Sequence, residues 1–94
     1  MAKFNNTKKF TITNINKVPE GQAIVYKIKN NNGKNLYTGI AGKGRGQDRL
    51  IEHKSVPSEK IPGGTRFQIA EVKNRQVALK LEKQIIEKEL PKFN

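Results

Sequence analysis

The sequence predicts a small α+β domain, and three observations lead to this fold class. Two apolar segments on either side of an Asn-rich turn are typical of a β-hairpin. A third strand-like segment follows a loop rich in proline and glycine, and two segments have helical periodicity. At 94 residues, the chain is long enough for one domain. The predicted order is β-β-α-β-α, with a small three-stranded antiparallel or mixed sheet flanked by helices.

The hairpin is the clearest local signal. Residues 23–29 and 36–41 are the predicted strands, and the Asn-Asn-Asn-Gly sequence at 30–33 forms the turn because Asn and Gly tolerate a positive φ. A short helix at 48–55 and a third strand at 65–72 follow, separated by the Pro/Gly loop.

The last predicted helix covers residues 74–90, with Asn74 as its N-cap and Pro91 ending it. Before the hairpin, residues 1–20 are predicted to form a basic N-terminal tail. Its first nine residues are Lys/Asn-rich and expected to be loosely held, whereas 10–13 alternate and indicate an edge strand. The compact domain is predicted to span residues 21–94.

The composition is strongly basic. Nineteen Lys and Arg oppose eight Asp and Glu, for a net charge of +11, and fifteen of the nineteen are lysines. This charge favours a nucleic-acid partner, although a merely well-solvated surface has the same composition. A membrane partner is not expected, because the sequence contains no apolar run of spanning length and no basic amphipathic helix. The simplest expectation is a cytoplasmic protein of bacterial or phage origin, with delivery as a secreted effector left open.

Glu82 is the anomalous residue of the last helix. It falls among the apolar positions of the helical wheel, which are Val77, Ala78, Leu81, Ile85 and Ile86. A buried carboxylate requires an ion pair, a proton or a metal. The chain has no cysteine and a single histidine, which excludes thiolate and His-rich zinc sites. A hard cation such as Mg²⁺, which often takes one or two protein carboxylates plus phosphate, is compatible with Glu82.

Other candidate groups precede Glu82. Tyr26 and Tyr37 lie on the two hairpin strands, and Arg49 and His53 share a helix face at i, i+4 spacing. Arg clamps phosphate and His moves protons near neutral pH. The alternative interpretation is that the two tyrosines are ordinary strand residues and that Arg49 and His53 lie on a solvated helix face. The Gly-rich basic loop at 42–46 lacks P-loop spacing and is interpreted as a connector.

Together these residues resemble the GIY-YIG nuclease family, including the nuclease domains of bacterial excinuclease and of phage homing endonucleases. The matching segments, in the family's order, are Ile24-Val25-Tyr26, Tyr37-Thr38-Gly39, Arg49-x-x-x-His53, Leu81-Glu82-x-x-Ile85-Ile86 and Pro91-Lys92-Phe93-Asn94. The first motif lacks its leading glycine, and Val25 and Thr38 replace isoleucines. Both tyrosines are present. The chain shows no second domain for sequence reading, which members that cut defined sites usually have.

The resemblance implies a catalytic set. Tyr26 would orient or deprotonate the attacking water, Tyr37 would assist it and hold phosphate, and Arg49 would neutralise phosphate in the transition state. His53 would bond the tyrosine or transfer a proton, and Glu82 would hold one Mg²⁺ or Mn²⁺. We expect all five side chains to converge.

The resemblance also implies supporting residues. Asn94 matches a structural or phosphate-contacting asparagine, and Gly39 would let the backbone approach closely. Lys43, Arg45, Lys54 and Asn94 are the residues expected to contact nucleic acid.

The leading hypothesis is a stand-alone, metal-dependent endonuclease that hydrolyses phosphodiester bonds, with DNA favoured. The alternatives are a non-catalytic nucleic-acid-binding module of the same fold, an RNA-cutting effector or toxin domain, and a basic domain in which Glu82 is only structural. No residue pattern that reads base edges is identifiable, and monomer and dimer are equally open.

Overall fold

A computed structural model describes residues 3–94 of the chain as an α+β fold. The predicted fold class is confirmed, but the antiparallel sheet has four strands rather than three. No helix in this part of the chain is both long and apolar enough to cross a membrane. In order, the elements are β1 (Lys8–Lys9), α1 (Ile12–Ile15), β2 (Ala23–Lys29), β3 (Asn35–Ala41), α2 (Gly46–Ser55), a 3-10 turn (Pro57–Glu59), β4 (Arg66–Val72) and α3 (Arg75–Glu89).

The sheet has the spatial order β1-β4-β2-β3, with β2 in its interior and β3 at one edge. All three pairings are antiparallel. The register sets Tyr26 opposite Gly39 on β3 and opposite Ile69 on β4. Because side chains alternate between faces, this register decides which side chains share a face with Tyr26.

The two faces of the sheet have separate cores. On one face, α1 and α2 cover a cluster that includes Tyr26, Leu50 and Phe67. On the other, α3 packs Ala78 and Ile85 against Val25 and its neighbours. Side chains of β2 therefore alternate between the two cores, so both faces of this strand are buried. This explains why its sequence is mostly apolar.

The N-terminal segment corrects two expectations. The edge strand is Lys8–Lys9, paired with β4, and not residues 10–13. Thr11 instead caps α1 by accepting from Asn14 N, and Phe10 is buried, so capping and burial override the alternating pattern.

The first residues are also held more firmly than expected. Asn5 exchanges hydrogen bonds with the Ile69 backbone, donating through its own N–H (2.9 Å) and accepting on Oδ1 (3.0 Å), and Phe4 packs against the α3-side core. Residues 1–2 lie outside the described part. The division of the chain at residue 20 stays a prediction.

Helix α3 begins and ends close to its predicted positions. Asn74 caps it by accepting from Val77 N at 2.9 Å. Leu90 terminates it with a left-handed φ of 50°, as a residue before proline is disfavoured in the helical region. Val77 was expected on the buried face but is 41% exposed, because α3 rests on the sheet through Ala78 and Ile85.

The C-terminal residues cover the edge of β3. Phe93 N donates to Leu36 O, and the Asn94 side chain bonds the Thr38 backbone twice, accepting from its N–H at 2.7 Å and donating to its carbonyl at 2.8 Å. The tail thereby occupies backbone groups that an edge strand would otherwise expose.

Candidate active site

An open cleft of about 520 Å³ lies at the edge of the sheet formed by β3, and residues from both sides of the sheet line it. Tyr37 reaches it from β3, Arg49 from α2 on one face, and Glu82 from α3 on the other. Its remaining walls are formed by Ile40, Ala41, Gly42, Arg45 and Arg75. The cleft thus brings together three of the five predicted catalytic side chains.

The other two, Tyr26 and His53, are buried directly behind it. The Tyr26 hydroxyl lies 2.7 Å from His53 Nε2, and His53 Nδ1 lies 2.8 Å from the carbonyl oxygen of Glu59. A carbonyl can only accept, so Nδ1 carries a proton and donates to Glu59. In neutral His53, Nε2 is then unprotonated and accepts from Tyr26. The backbone of the 3-10 turn therefore selects the tautomer that can take a proton from Tyr26.

The two tyrosines and His53 form one aromatic cluster. The Tyr37 ring centroid is 4.9 Å from that of His53 and 6.3 Å from that of Tyr26. Gly39 lies between the tyrosines, where a Cβ would come within 2.5 Å of Tyr26 Oη and 2.9 Å of Tyr37 Cε2. Any side chain at this position would displace the rings, because real Cβ contacts do not approach so closely.

Burial dominates the proton affinity of both phenols. It raises the pKa of Tyr26, with the Tyr37 charge acting in the same direction and the Arg49 guanidinium opposing both. Burial also raises the pKa of Tyr37, again against Arg49. Tyr26 is therefore a neutral phenol at physiological pH, and its proton is lost only to a neighbouring base. His53 Nε2 is positioned as that base.

Arg49 is held by two carboxylates. It pairs with Glu52 on the same helix, and its Nη1 lies 3.6 Å from Glu59 Oε1. Glu52 follows Arg49 by three residues, a spacing at which two side chains on one helix meet. The three side chains are partly exposed, which leaves the guanidinium available to a phosphate entering the cleft.

Glu82 is half-buried at the cleft wall rather than enclosed in the α3 core. Burial raises its pKa, and the positive charge of Arg75 acts against this shift. Arg75 precedes Glu82 by seven residues, which places both on one side of α3.

The donor set around Glu82 suits Mg²⁺ or Mn²⁺. Within residues 3–94, no group of three or more His, Cys, Asp or Glu side chains could enclose a metal ion. Mg²⁺ does not require such a group, because it keeps several waters and takes one or two carboxylates together with substrate phosphate. A single glutamate in an open, arginine-lined cleft fits this mode of binding.

The predicted nucleic-acid contacts are dispersed. Arg45 lines the Glu82 cleft, and Lys43 lines a neighbouring one. Lys54 lies elsewhere, with Nζ 5.4 Å from the Phe10 ring centroid. Asn94 is engaged with Thr38, which favours the structural alternative for this residue.

Three residues near the site were missed by the sequence interpretation: Arg75, Glu52 and Glu59. The helical spacing of Arg75 from Glu82 and of Glu52 from Arg49 could have indicated the first two. Nothing local marks Glu59, whose contribution depends on how the 3-10 turn folds back on α2.

The chain is similar to solved structures of one nuclease domain. It matches the N-terminal GIY-YIG endonuclease domain of UvrC from Thermotoga maritima, bound to its catalytic divalent cation, magnesium, with a TM-score of 0.73 and 29% identity over 87% of this chain and 92% of that chain. The chain has the GIY-YIG endonuclease fold. An asparagine-to-alanine mutant and a tyrosine-to-phenylalanine mutant of that domain, each bound to a catalytic divalent cation, match with 28% identity over 87% of this chain and 91% of theirs.

The resemblance to GIY-YIG nucleases found in the sequence is thus confirmed at the level of the fold. No protein-family model matches the chain, and no curated protein matches it. The departures of its GIY-YIG motifs, Ile24 and Thr38 among them, are buried side chains that do not line the cleft.

Proposed function

We propose that this GIY-YIG domain is an endonuclease that hydrolyses phosphodiester bonds of nucleic acid with Mg²⁺ or Mn²⁺. The observation that supports it best is the cleft itself. A phosphate-binding Arg49, a carboxylate suited to a hard cation and the Tyr37 hydroxyl line one opening, backed by a tyrosine–histidine pair in the proton-accepting tautomer. DNA is the proposed substrate because of the resemblance to excinuclease and homing endonuclease domains.

Each side chain has a role that its position allows. Tyr37, at the cleft wall, contacts the attacking water and the phosphate. Tyr26 has no exposed surface, so it would act behind Tyr37: as it passes its proton to His53 Nε2, it would receive through Tyr37 the proton that the attacking water loses. Arg49 exchanges its carboxylate partners for the scissile phosphate and balances the negative charge that grows there in the transition state.

Glu82 would hold the divalent cation on the cleft wall. Bound there, the cation supplies positive charge to the scissile phosphate. The pKa of Glu82 is raised by burial, and the positive charge of Arg75 acts against that shift and so favours the ionised carboxylate.

A cleavage assay on supercoiled plasmid and on RNA, with Mg²⁺ and with EDTA, tests the proposal. Wild type should cut in a metal-dependent manner, and Glu82→Ala and Arg49→Ala should each lower the rate by about 100-fold or more. Glu87→Ala is the matched control, because Glu87 is an exposed glutamate on the same helix. Wild-type protein that binds nucleic acid but cuts neither substrate would contradict the proposal and favour a non-catalytic module.

A further inference from the structure

Helix α2 begins without a cap from its own N-cap residue. Arg45 occupies that position, and its side chain makes no capping hydrogen bond. A guanidinium carries only donors, whereas the free N–H groups of a first helical turn require an acceptor. The Arg45 side chain instead lines the Glu82 cleft. A protein acceptor for this helix terminus therefore has to come from another part of the chain.

Glu20, at the end of the N-terminal segment, supplies that acceptor. Its Oε1 accepts a hydrogen bond at 3.3 Å from the N–H of Gln47, in the first turn of α2. Its backbone carbonyl accepts from the N–H of Gly44 at 3.1 Å. Gly44 and Gln47 lie on either side of Arg45 in the sequence, so Glu20 holds the chain both before and after this residue.

The segment that carries Glu20 is itself fixed to α2. Gln47 Nε2 donates to the carbonyl oxygens of Val18, at 2.9 Å, and of Asn16, at 3.2 Å. Val18 is also buried in the core that α1 and α2 cover. Because this segment is anchored by both packing and hydrogen bonds, Glu20 holds the β3–α2 loop in one place and does not merely follow its motion.

We propose that Glu20 is a positioning residue of the nuclease site, which fixes the β3–α2 loop so that the Arg45 guanidinium stays in the Glu82 cleft and faces the scissile phosphate. This inference rests on the proposed nuclease function for the role of Arg45. Arg45 is exposed and forms no salt bridge within the described residues, so no partner in the cleft fixes its side chain. The position of its backbone then decides where its charge lies.

Cleavage of plasmid by the full chain with Mg²⁺ tests the role in the reaction. Glu20→Ala removes the acceptor, whereas Glu20→Gln keeps an oxygen at the same place and removes only the charge. Asp48→Asn is the matched control, because Asp48 is an exposed acid in the same helical turn whose side chain makes no hydrogen bond within residues 3–94.

We expect Glu20→Ala to lower kcat about tenfold or more, because a misplaced cation stabilises the transition state poorly. KM should change little, since the charge of Arg45 remains and still attracts the substrate. Glu20→Gln and Asp48→Asn should both stay within about twofold of the wild-type kcat, because each leaves the hydrogen bond to Gln47 in place.

A double-mutant cycle identifies the residue through which Glu20 acts. In an Arg45→Ala background, Glu20→Ala should lower the rate by less than about twofold, because the side chain that it positions is already absent. Simple destabilisation would instead lower the rate by the same factor in both backgrounds. Thermal unfolding confirms that every variant is folded at the assay temperature.

NMR relaxation tests the positioning without catalysis. In Glu20→Ala, the backbone order parameters of Gly44 and Arg45 should fall from about 0.85, which is typical of rigid backbone, towards about 0.6. In Glu20→Gln and Asp48→Asn they should stay at the wild-type values.

Unchanged order parameters in Glu20→Ala, or equal rate losses with and without Arg45, would overturn the inference. Equal losses in Glu20→Ala and Asp48→Asn would also overturn it, because they would assign the effect to charge at the helix terminus. A wild type that does not cut would contradict the nuclease proposal, and the relaxation measurement would still decide whether Glu20 fixes the loop.

Discussion

At the residue scale, the hydrogen bond between Tyr26 and His53 is the central feature of the site. Both of its partners are buried, and Tyr26 has no exposed surface at all. A buried acceptor that loses its donor costs about 1–3 kcal/mol. The bond therefore contributes to stability as well as to the proposed proton transfer, and these two contributions can be separated by comparing the two tyrosines.

We predict that Tyr26→Phe lowers the free energy of unfolding by about 1–2 kcal/mol, because it leaves His53 Nε2 without a donor. Tyr37→Phe should leave stability nearly unchanged, since the Tyr37 hydroxyl makes no hydrogen bond within residues 3–94. Both variants should lose cleavage. Urea unfolding combined with the plasmid assay measures the two effects. Equal stability of the two variants would contradict the assigned bond.

A second prediction concerns Gly39. We expect Gly39→Ala to destabilise the fold by about 1–3 kcal/mol, because the new methyl group would meet Tyr26 Oη and the Tyr37 ring at distances that require both to move. Thermal unfolding measures the loss. Gly21→Ala serves as control, as nothing lies within 4 Å of a Cβ there. A Gly39→Ala protein as stable and active as wild type would show that the tyrosines can repack freely.

At the element scale, α3 links the site to the far end of the sheet. Its first half presents Arg75 and Glu82 to the cleft. Its last turn presents Glu89, which pairs with Lys27 on β2 at 2.8 Å and also accepts from Asn35 on β3. The helix is thus anchored across the strands that hold Tyr26 and Tyr37, which sets the position of Glu82 relative to both.

The Lys27–Glu89 pair predicts a pH dependence. Partial burial alone would raise the pKa of Glu89, but the Lys27 hydrogen bond and charge outweigh it and lower the pKa. A lowered folded-state pKa means that the stabilisation is complete above the ordinary glutamate range of about 4.3 and is lost as pH falls through the folded-state value. Because solvent screens this partly exposed pair, Glu89→Gln should cost only about 1 kcal/mol at pH 7 and almost nothing at about pH 2.

Chemical denaturation at both pH values measures this difference. Glu87→Gln is the control, because Glu87 is exposed and forms no salt bridge in residues 3–94. A Glu89→Gln cost that does not change with pH would show that the pair contributes through packing and not through charge.

The C-terminal tail is the other element with a testable role. Asn94→Ala should cost about 1–2 kcal/mol, since it removes two hydrogen bonds to Thr38. Amide hydrogen exchange followed by NMR should show faster exchange of the Thr38 N–H. The exchange rates of amides in β4 should change only as much as the change in global stability requires. Unchanged protection of Thr38 would indicate that the tail does not cover the edge of β3 in solution.

At the scale of the whole molecule, the net charge of +11 is hardly compensated within the fold. The chain has nineteen Lys and Arg side chains, but residues 3–94 contain only three salt bridges, and two of these are formed by the same residue, Arg49. Such an excess of positive charge favours binding to polyanions, but it also destabilises the folded state because the like charges repel one another.

We predict that moderate salt stabilises the free protein and weakens its complexes. Raising NaCl from about 0.05 to 0.5 M should raise the unfolding temperature by a few degrees by screening this repulsion, because the Debye length falls well below the spacing between most surface charges. The same change should lower nucleic-acid affinity by several orders of magnitude. Scanning calorimetry and anisotropy titrations give the two trends, and an unfolding temperature that falls with salt would contradict the first.

Much of the local structure followed from the sequence. The hairpin, the third strand and both main helices lie within two residues of their predicted bounds, because turn chemistry, side-chain period and capping act over a few residues. The N-terminal strand was misplaced for the opposite reason. Lys8–Lys9 is a strand only because β4 offers it a pairing partner more than fifty residues along the chain.

The sequence by itself determined the hairpin, the third strand, the two main helices and the basic charge, and it named the side chains proposed to act on a phosphodiester. Only the tertiary structure decided how they meet: Glu82 and Arg49 approach from opposite faces of one sheet edge, His53 takes its tautomer from the Glu59 carbonyl, and Asn94 is bound by Thr38. Each of these contacts depends on the register of β2 with β3 and on the packing of α2 and α3. Those are non-local interactions that no local pattern of residues encodes.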